Sequence, residues 1–183
     1  MAQELQAIRF GYVVEDIQRI LYNLISQYFD GTEETLGRRS FDFNDCLIVF
    51  NKQRLESEEN KPVIAILGER VSSSVDYKKN DPDDEDDLTD FAYEEWINVD
   101  KTVYIKLPIG YGGTDLNMSY RTAVRVYGLL HACFASKHAV LAQYGLDMPR
   151  LTPSPADIST KEFTVLMGRL KFRARVTVRR EDY

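Results

Sequence analysis

The chain has 183 residues, 44% of them hydrophobic, enough for one compact core and too few for two. Its 29 acidic and 23 basic residues give a net charge of −6, so bulk charge does not favour nucleic acid, and any such binding would have to be local. No apolar run approaches the roughly 18 residues that cross a bilayer, which excludes a membrane-spanning helix.

Gln3, Glu4 and Gln6 interrupt any signal-peptide layout, so the expectation is synthesis in a reducing cytoplasm. Cys46 and Cys133 fall in apolar stretches, where cysteine acts as a small hydrophobe, and no disulfide framework is expected.

In chain order, the first element is a helix over 13–29. Val13, Val14, Ile17, Ile20, Leu21, Leu24, Ile25 and Tyr28 recur at helical spacing, with Glu15, Asp16, Gln18, Arg19, Asn23 and Gln27 opposite. Acidic residues near its start and Asp30-Gly31 at its end agree with helix polarity. Cys46-Leu47-Ile48-Val49-Phe50 then reads as a short buried strand within 45–52. A polar loop over 53–61 leads through Pro62 to a second buried strand, Val63 to Leu67, which neighbours the first and continues outward to Val75.

Residues 80–95 change character. Asp81, Asp83, Asp84, Glu85, Asp86, Asp87, Asp90, Glu94 and Glu95 follow one another without a basic residue, and such a block repels itself. The expectation is a flexible acidic insertion over 76–96 within a single domain of 1–183, re-entering the body at Phe91, Tyr93 and Trp96.

A strand over 101–107 follows, ended by Pro108, and then a flexible turn at Ile109-Gly110-Tyr111-Gly112-Gly113. A second helix is expected over 119–136, capped by Ser119, with Val124, Tyr127, Leu130, His131 and Phe134 on its inner stripe. Residues 137–144 extend it or form a short helix of their own. The segment 147–159, with Pro149, Pro153 and Pro155, reads as a loop.

The final segment sorts its side chains by charge. Leu170, Phe172, Ala174, Val176 and Val178 alternate with Lys171, Arg173, Arg175, Thr177 and Arg179, so a strand here has one apolar and one cationic face. Before Gly168 the apolar positions are odd (Phe163, Val165, Met167), which calls for a β-bulge or a hairpin at Gly168, the bulge being favoured.

Catalytic constellations are sparse. His131 and His138 stand seven apart, a long reach for a metal pair, with no third ligand at a recognisable spacing. Cys133 points away from His131 on a helix, which defeats a nucleophile pair. The Gly110–Gly113 turn lacks the Lys-Ser/Thr ending of a phosphate loop. Asp83, Glu85, Asp87, Thr89 and Glu94 can be laid on a calcium loop, but Leu88 stands where its sharp turn demands glycine. No enzyme, cofactor or metal site is expected.

The fold expected is α+β: a mixed or mainly antiparallel sheet packed against two main helices, with an acidic loop insertion. Arg169, Lys171, Arg173, Arg175 and Arg179 then form a cationic row that repels itself. Three readings stay open: an ordinary solvated sheet face, an electrostatic seam between subunits, or a surface facing DNA.

This order of elements resembles the tail terminator proteins of tailed bacteriophages, also called neck or tail-completion proteins. The likeness is one of layout over nearly the whole chain. It rests on Ile17-Gln18-Arg19-Ile20-Leu21 in the first helix, Asp45-Cys46-Leu47-Ile48-Val49-Phe50 in the first strand, and the ending from Arg169 to Arg179. The acidic insertion is longer than a minimal member would carry. The resemblance implies a structural virion protein, assembled in the host bacterial cytoplasm. Such a protein forms a hexameric ring that ends the tail tube, contacts tail-tube and head–tail connector proteins, and lets genome DNA pass through its lumen. In such a ring Asp83, Asp84, Asp86 and Asp87 of one subunit would meet the cationic row of the next. Other head–tail connector or tail-tube ring proteins, and a small DNA-binding accessory protein using the basic strand, are the alternatives.

Overall fold

The computed structural model describes residues 8–9, 12–29, 46–57, 61–79, 91–109, 116–157 and 162–179. Within them lie strands β1 (Ile8–Arg9), β2 (Leu47–Val49), β3 (Val63–Lys79), β4 (Phe91–Pro108), β5 (Leu146–Asp157) and β6 (Phe163–Arg179). The helices are α1 (Val13–Phe29), α2 (Lys52–Ser57), α3 (Leu116–Ser136) and α4 (His138–Gln143). One mixed sheet of order β1-β6-β4-β3-β2, with β5 added against β6, carries the helices, which is an α+β fold.

Three long antiparallel strands form the frame, β3–β4–β6. Their first face holds the main core. Ile64 and Ile66 of β3, Val99, Val103 and Ile105 of β4, and Leu170, Phe172 and Ala174 of β6 pack there. Ile17, Leu21 and Ile25 of α1 and Ala123, Val126, Leu130 and Phe134 of α3 cover them. Each large apolar side chain so enclosed contributes about 1.5–3 kcal/mol, before the entropy of ordering it. Two charged residues share this interior: Asp16, 2% exposed, accepts a hydrogen bond from Arg19 Nη2 at 3.1 Å, and Lys101 is also 2% exposed and engaged by the protein around it.

β2 and β3 are neighbours, as their sequences suggest, and they run parallel. A parallel pair needs a crossover of a dozen or so residues, which explains why the expected polar loop contains α2. The crossover lies over the second face of the sheet, where Leu55 packs with Val49, Val63, Ala65 and Tyr104.

Several expectations are corrected. The strand expected over 101–107 begins at Phe91, and β3 reaches Lys79, so both flanks of the expected 76–96 insertion are strand. Cross-strand pairing explains the extension: the register sets Glu94 opposite Lys78 on one side and Thr177 on the other. The acidic core of that insertion, 80–90, lies outside the described residues, as does the glycine-rich turn 110–113. The second helix starts at Leu116, which puts Ser119 inside its first turn. Its buried stripe is Ala123, Val126, Leu130, Cys133 and Phe134, while Val124 (44%) and His131 are exposed. The buried stripe keeps Leu130 and Phe134 of the expected one and turns Val124 and His131 out to solvent.

The proline-bearing segment after Gly145 is a strand. β5 pairs with β6 alone among the described strands, and Pro149 and Pro155 fall where its register shifts, between Asp147 and Arg150 and between Pro153 and Asp157. An edge strand tolerates proline there because no ladder bond is demanded of the missing N–H.

Against β4, Gly168 marks neither a bulge nor a hairpin; against β5 the register shifts just beyond its pair with Pro153. β4 and β6 pair without a shift from Tyr93/Val178 to Pro108/Phe163. Even positions of β6 from Thr164 to Val176 face the core, Gly168 included, and Phe163, Val165 and Met167 are half-buried on the second face. The parity change therefore records a change in what covers that face. Gly168 serves a different need: a Cβ there would lie 2.9 Å from Tyr127 Cε2 and 3.2 Å from Leu151 Cδ1, so its absence admits the Tyr127 ring of α3.

Candidate functional site: a cationic sheet face

The second face of β6 divides into a covered end and an open end. At the covered end, Lys106 of β4 is 8% exposed; its Nζ donates to Leu55 O at 2.9 Å and sits 4.3 Å from the Phe163 ring centroid. The α2 crossover thus takes one cation out of the open surface. Beyond Met167 no helix of the described residues lies over the face, and the basic positions begin.

Because β6 runs between β4 and β5, each basic residue stands in a cross-strand row. Arg169 lies between Thr102 and Thr152, Lys171 between Asp100 and Arg150, and Arg173 between Asn98 and Asp147. Arg175 stands opposite Trp96. Alternate strand residues are about 6.7 Å apart, so Arg169 to Arg175 form a row about 20 Å long. Arg169, Lys171 and Arg150 are exposed; Arg173 and Arg175 are half-buried.

Neighbouring strands order this row. Lys171 Nζ is 3.8 Å from Asp100 Oδ2, and the Arg173 guanidinium lies 5.1 Å from the Trp96 ring centroid, within cation–π range. Arg175 is placed through its backbone, its N–H donating to Gly145 O at 2.7 Å. Gly145 has φ +79°, and a Cβ there would press on Arg175 O at 3.2 Å, so glycine lets the turn from α4 close against β6.

Of the expected interface residues, the sheet brings Arg169, Lys171, Arg173 and Arg175 into one row. Arg179 pairs by its backbone with Phe91 at the far end of the sheet, and its side chain lies outside the described residues. Asp83, Asp84, Asp86 and Asp87 also lie outside them; the strands flanking their segment end at Lys79 and resume at Phe91, beside Arg179. Sequence reading missed Trp96, Asp100, Asp147 and Arg150 as members of the face. Arg150 and Asp147 were hidden in a segment read as a proline loop. The signal for Trp96 and Asp100 is their even parity with Thr102 and Tyr104, once β4 is drawn out to Phe91.

The other candidate chemistry does not converge. His131 and His138 sit on different helices, α3 and α4, both exposed, with His138 Nδ1 3.0 Å from Ala135 O. Among the described residues no group of three or more His, Cys, Asp or Glu is placed to hold a metal ion. Burial pushes the Cys133 thiol up to about 12, against a lesser lowering by the Lys137 charge; burial likewise raises Cys46 to about 12, opposed by a hydrogen bond with the Ile64 backbone. Both remain protonated at neutral pH and unreactive. No described helix is long and apolar enough to cross a membrane.

Comparison with protein-family models and with curated proteins yields no match for the chain.

Proposed function

We propose that this protein is a structural virion component that forms a ring at the end of a phage tail tube, closing the tail and joining it to the head connector. The observation that carries this reading is the open cationic sheet face on a chain whose net charge is −6. A dense, ordered, same-sign row on one face suits a surface made to be covered by an anionic partner, and a ring of identical subunits provides one at each seam. The inert thiols and scattered histidines favour assembly over catalysis. In the assembled virion the ring contacts tail-tube and connector proteins, and the genome passes through its lumen without sequence-specific binding.

Native mass measurement with negative-stain imaging tests the proposal, on the purified chain and on the chain mixed with tail tubes. Six-copy rings with a central hole, free or on tube ends, are expected. A chain that stays monomeric and leaves tube ends bare would overturn it.

A second reading is favoured by one contact. Trp96 beside Arg173, within a basic face, is the combination by which sheets bind single-stranded nucleic acid through stacking and phosphate contacts. That reading requires an affinity for oligonucleotides that falls steeply with salt.

A further inference from the structure

The sheet is finished differently at its two sides. On one, β5 carries Pro149, Pro153 and Pro155, and a proline has no N–H to offer an incoming strand. On the other, β2 pairs with β3 only over Val63–Ala65, so from Ile66 to Lys79 no described strand lies on the outer side of β3. That edge contains no proline, and Val71-Ser72-Ser73-Ser74-Val75 at its middle contains no charge. Edge strands are ordinarily guarded by proline or charge, because their outward N–H and C=O groups accept another strand.

Residues 70–76 read Arg-Val-Ser-Ser-Ser-Val-Asp. The run is symmetric about Ser73 in its side-chain types and opposite in charge at its ends. Set antiparallel to a second copy of itself with Ser73 facing Ser73, it places Val71 against Val75, Ser72 against Ser74 and Arg70 against Asp76, each twice. Opposite charges and β-branched residues at facing positions favour strand pairing. The end charges also fix the register, since a slip of two residues loses both ion pairs; a purely polar run would slide.

The neighbouring strands prepare the same pairing. The register sets Asp100 of β4 between Lys171 of β6 and Arg70 of β3. An aspartate arriving outside Arg70 continues that row with alternating sign. The ladder from β3 to β4 passes from Ser73/Ile97 to Tyr77/Glu95, so Ser74, Val75 and Asp76 face no residue of β4 in register. A bulge turns backbone groups out of the ladder, and those groups need partners elsewhere. About the two-fold axis, the regular half Arg70–Ser73 of one copy meets the bulged half of the other.

We infer that the outer edge of β3 is a self-association surface, through which two copies pair antiparallel over Arg70–Asp76 about an axis at Ser73 and join their sheets into one. The contact is isologous, the same patch on both copies, and it is separate from the cationic face and independent of what covers that face.

A single cysteine on the axis tests it. Facing residues of an antiparallel pair have Cα atoms about 4.5–5.5 Å apart, within disulfide reach. Ser73→Cys in the full chain, oxidised under native conditions, should therefore give a covalent dimer and no higher multiple on non-reducing gels. Ser72→Cys, which faces Ser74, should cross-link at least tenfold more slowly. Cys46 and Cys133, both pushed up to about 12, stay out of the exchange. No covalent dimer from Ser73→Cys, or equal rates for the two variants, overturns the pairing.

Charge reversal supplies the second arm. Arg70→Asp and Asp76→Arg should each weaken dimerisation at least tenfold in sedimentation equilibrium. An equimolar mixture should recover it, because each variant supplies the sign that the other lacks, and recovery shows that both fold. Dimers indifferent to either reversal overturn the inference. Six-copy rings that form unchanged in both variants overturn the edge contact and leave the ring reading standing. A monomer whose Val71–Asp76 amides resist hydrogen exchange assigns the edge to the chain's own backbone, and overturns it as well.

Discussion

The two faces of β6 belong to one backbone and answer to different forces. On the first face Leu170, Phe172 and Ala174 are sealed beneath α1 and α3, where volume and shape decide what is tolerated. On the second, Arg169 and Lys171 stand in water, and the cost of crowding like charges is moderated by solvent and by Asp100. Neighbours in sequence thus meet different surroundings: Phe172 is sealed in the core, whereas Lys171 is exposed and Arg173 is half-buried against the Trp96 ring.

The widest separation between the faces should come from adjacent truncations. Phe172→Ala leaves a cavity under the helices and should cost about 3–5 kcal/mol in urea unfolding. A loss below about 1 kcal/mol would mean that the helices do not seal that face.

Alkaline pH should act on the first face next. Free thiols ionise near 9.0, but Cys46 and Cys133 hold their protons to about 12 in the fold because burial opposes the thiolate. Between those values the unfolded chain binds fewer protons than the native one, so stability falls as pH rises through the window and is unaffected below it. Thermal unfolding from pH 7 to 11 should show this decline. Replacing both cysteines with alanine should make it shallower, leaving the part due to Tyr127, whose phenol is also pushed up by burial; an unchanged slope would remove the thiols as a cause.

Gly168→Ala is expected to cost about 1–3 kcal/mol, because the new methyl meets Tyr127 Cε2 at 2.9 Å and Thr152 O at 3.2 Å. Pairing it with Tyr127→Leu should recover part of the loss, since a smaller side chain relieves the ring contact. Equal losses in the single and double variants would count against the close approach of α3.

How far the sequence could be read follows the same division. Periodic apolar residues announced α1, β2 and the start of β3, because burial on one side leaves a pattern in the chain itself. The cationic row was legible for the same reason, since strand alternation alone sorts Lys171 and Arg173 from Leu170 and Phe172. What escaped depended on neighbours. Pro149, Pro153 and Pro155 read as a loop until an edge position excused their missing N–H groups. The parity change at Gly168 read as a bulge because nothing local shows that α2 and Lys106 shield Phe163 on the second face. The nine acids concealed the start of β4, whose pairing with β3 and β6 outweighs its composition. For the candidate site, the row was visible and its in-chain partners Asp100, Asp147 and Trp96 were not, because cross-strand register is a property of the folded sheet.

Even on the core face, a small gain is available. Thr164 Oγ1 is buried with no hydrogen-bond partner among the described residues, so Thr164→Val should raise stability by about 1 kcal/mol in urea unfolding. A loss of similar size would reveal a polar contact for that hydroxyl.

The smallest effect should fall on the open face, and its smallness is the point. The Lys171–Asp100 pair is long at 3.8 Å, with side chains 59% and 25% exposed, so solvent and salt screen most of its attraction. Lys171→Ala should therefore change folding stability by about 0.5 kcal/mol or less, with the difference vanishing at high salt. The residue lies one position from Phe172, whose truncation is expected to cost several times more. If Lys171→Ala instead destabilised the fold as a core truncation does, the cationic row would be part of the protein's own architecture, and a partner would no longer be needed to explain it. If folding is untouched while association of the chain is lost, the two faces of β6 are separable, one serving the fold and the other the assembly.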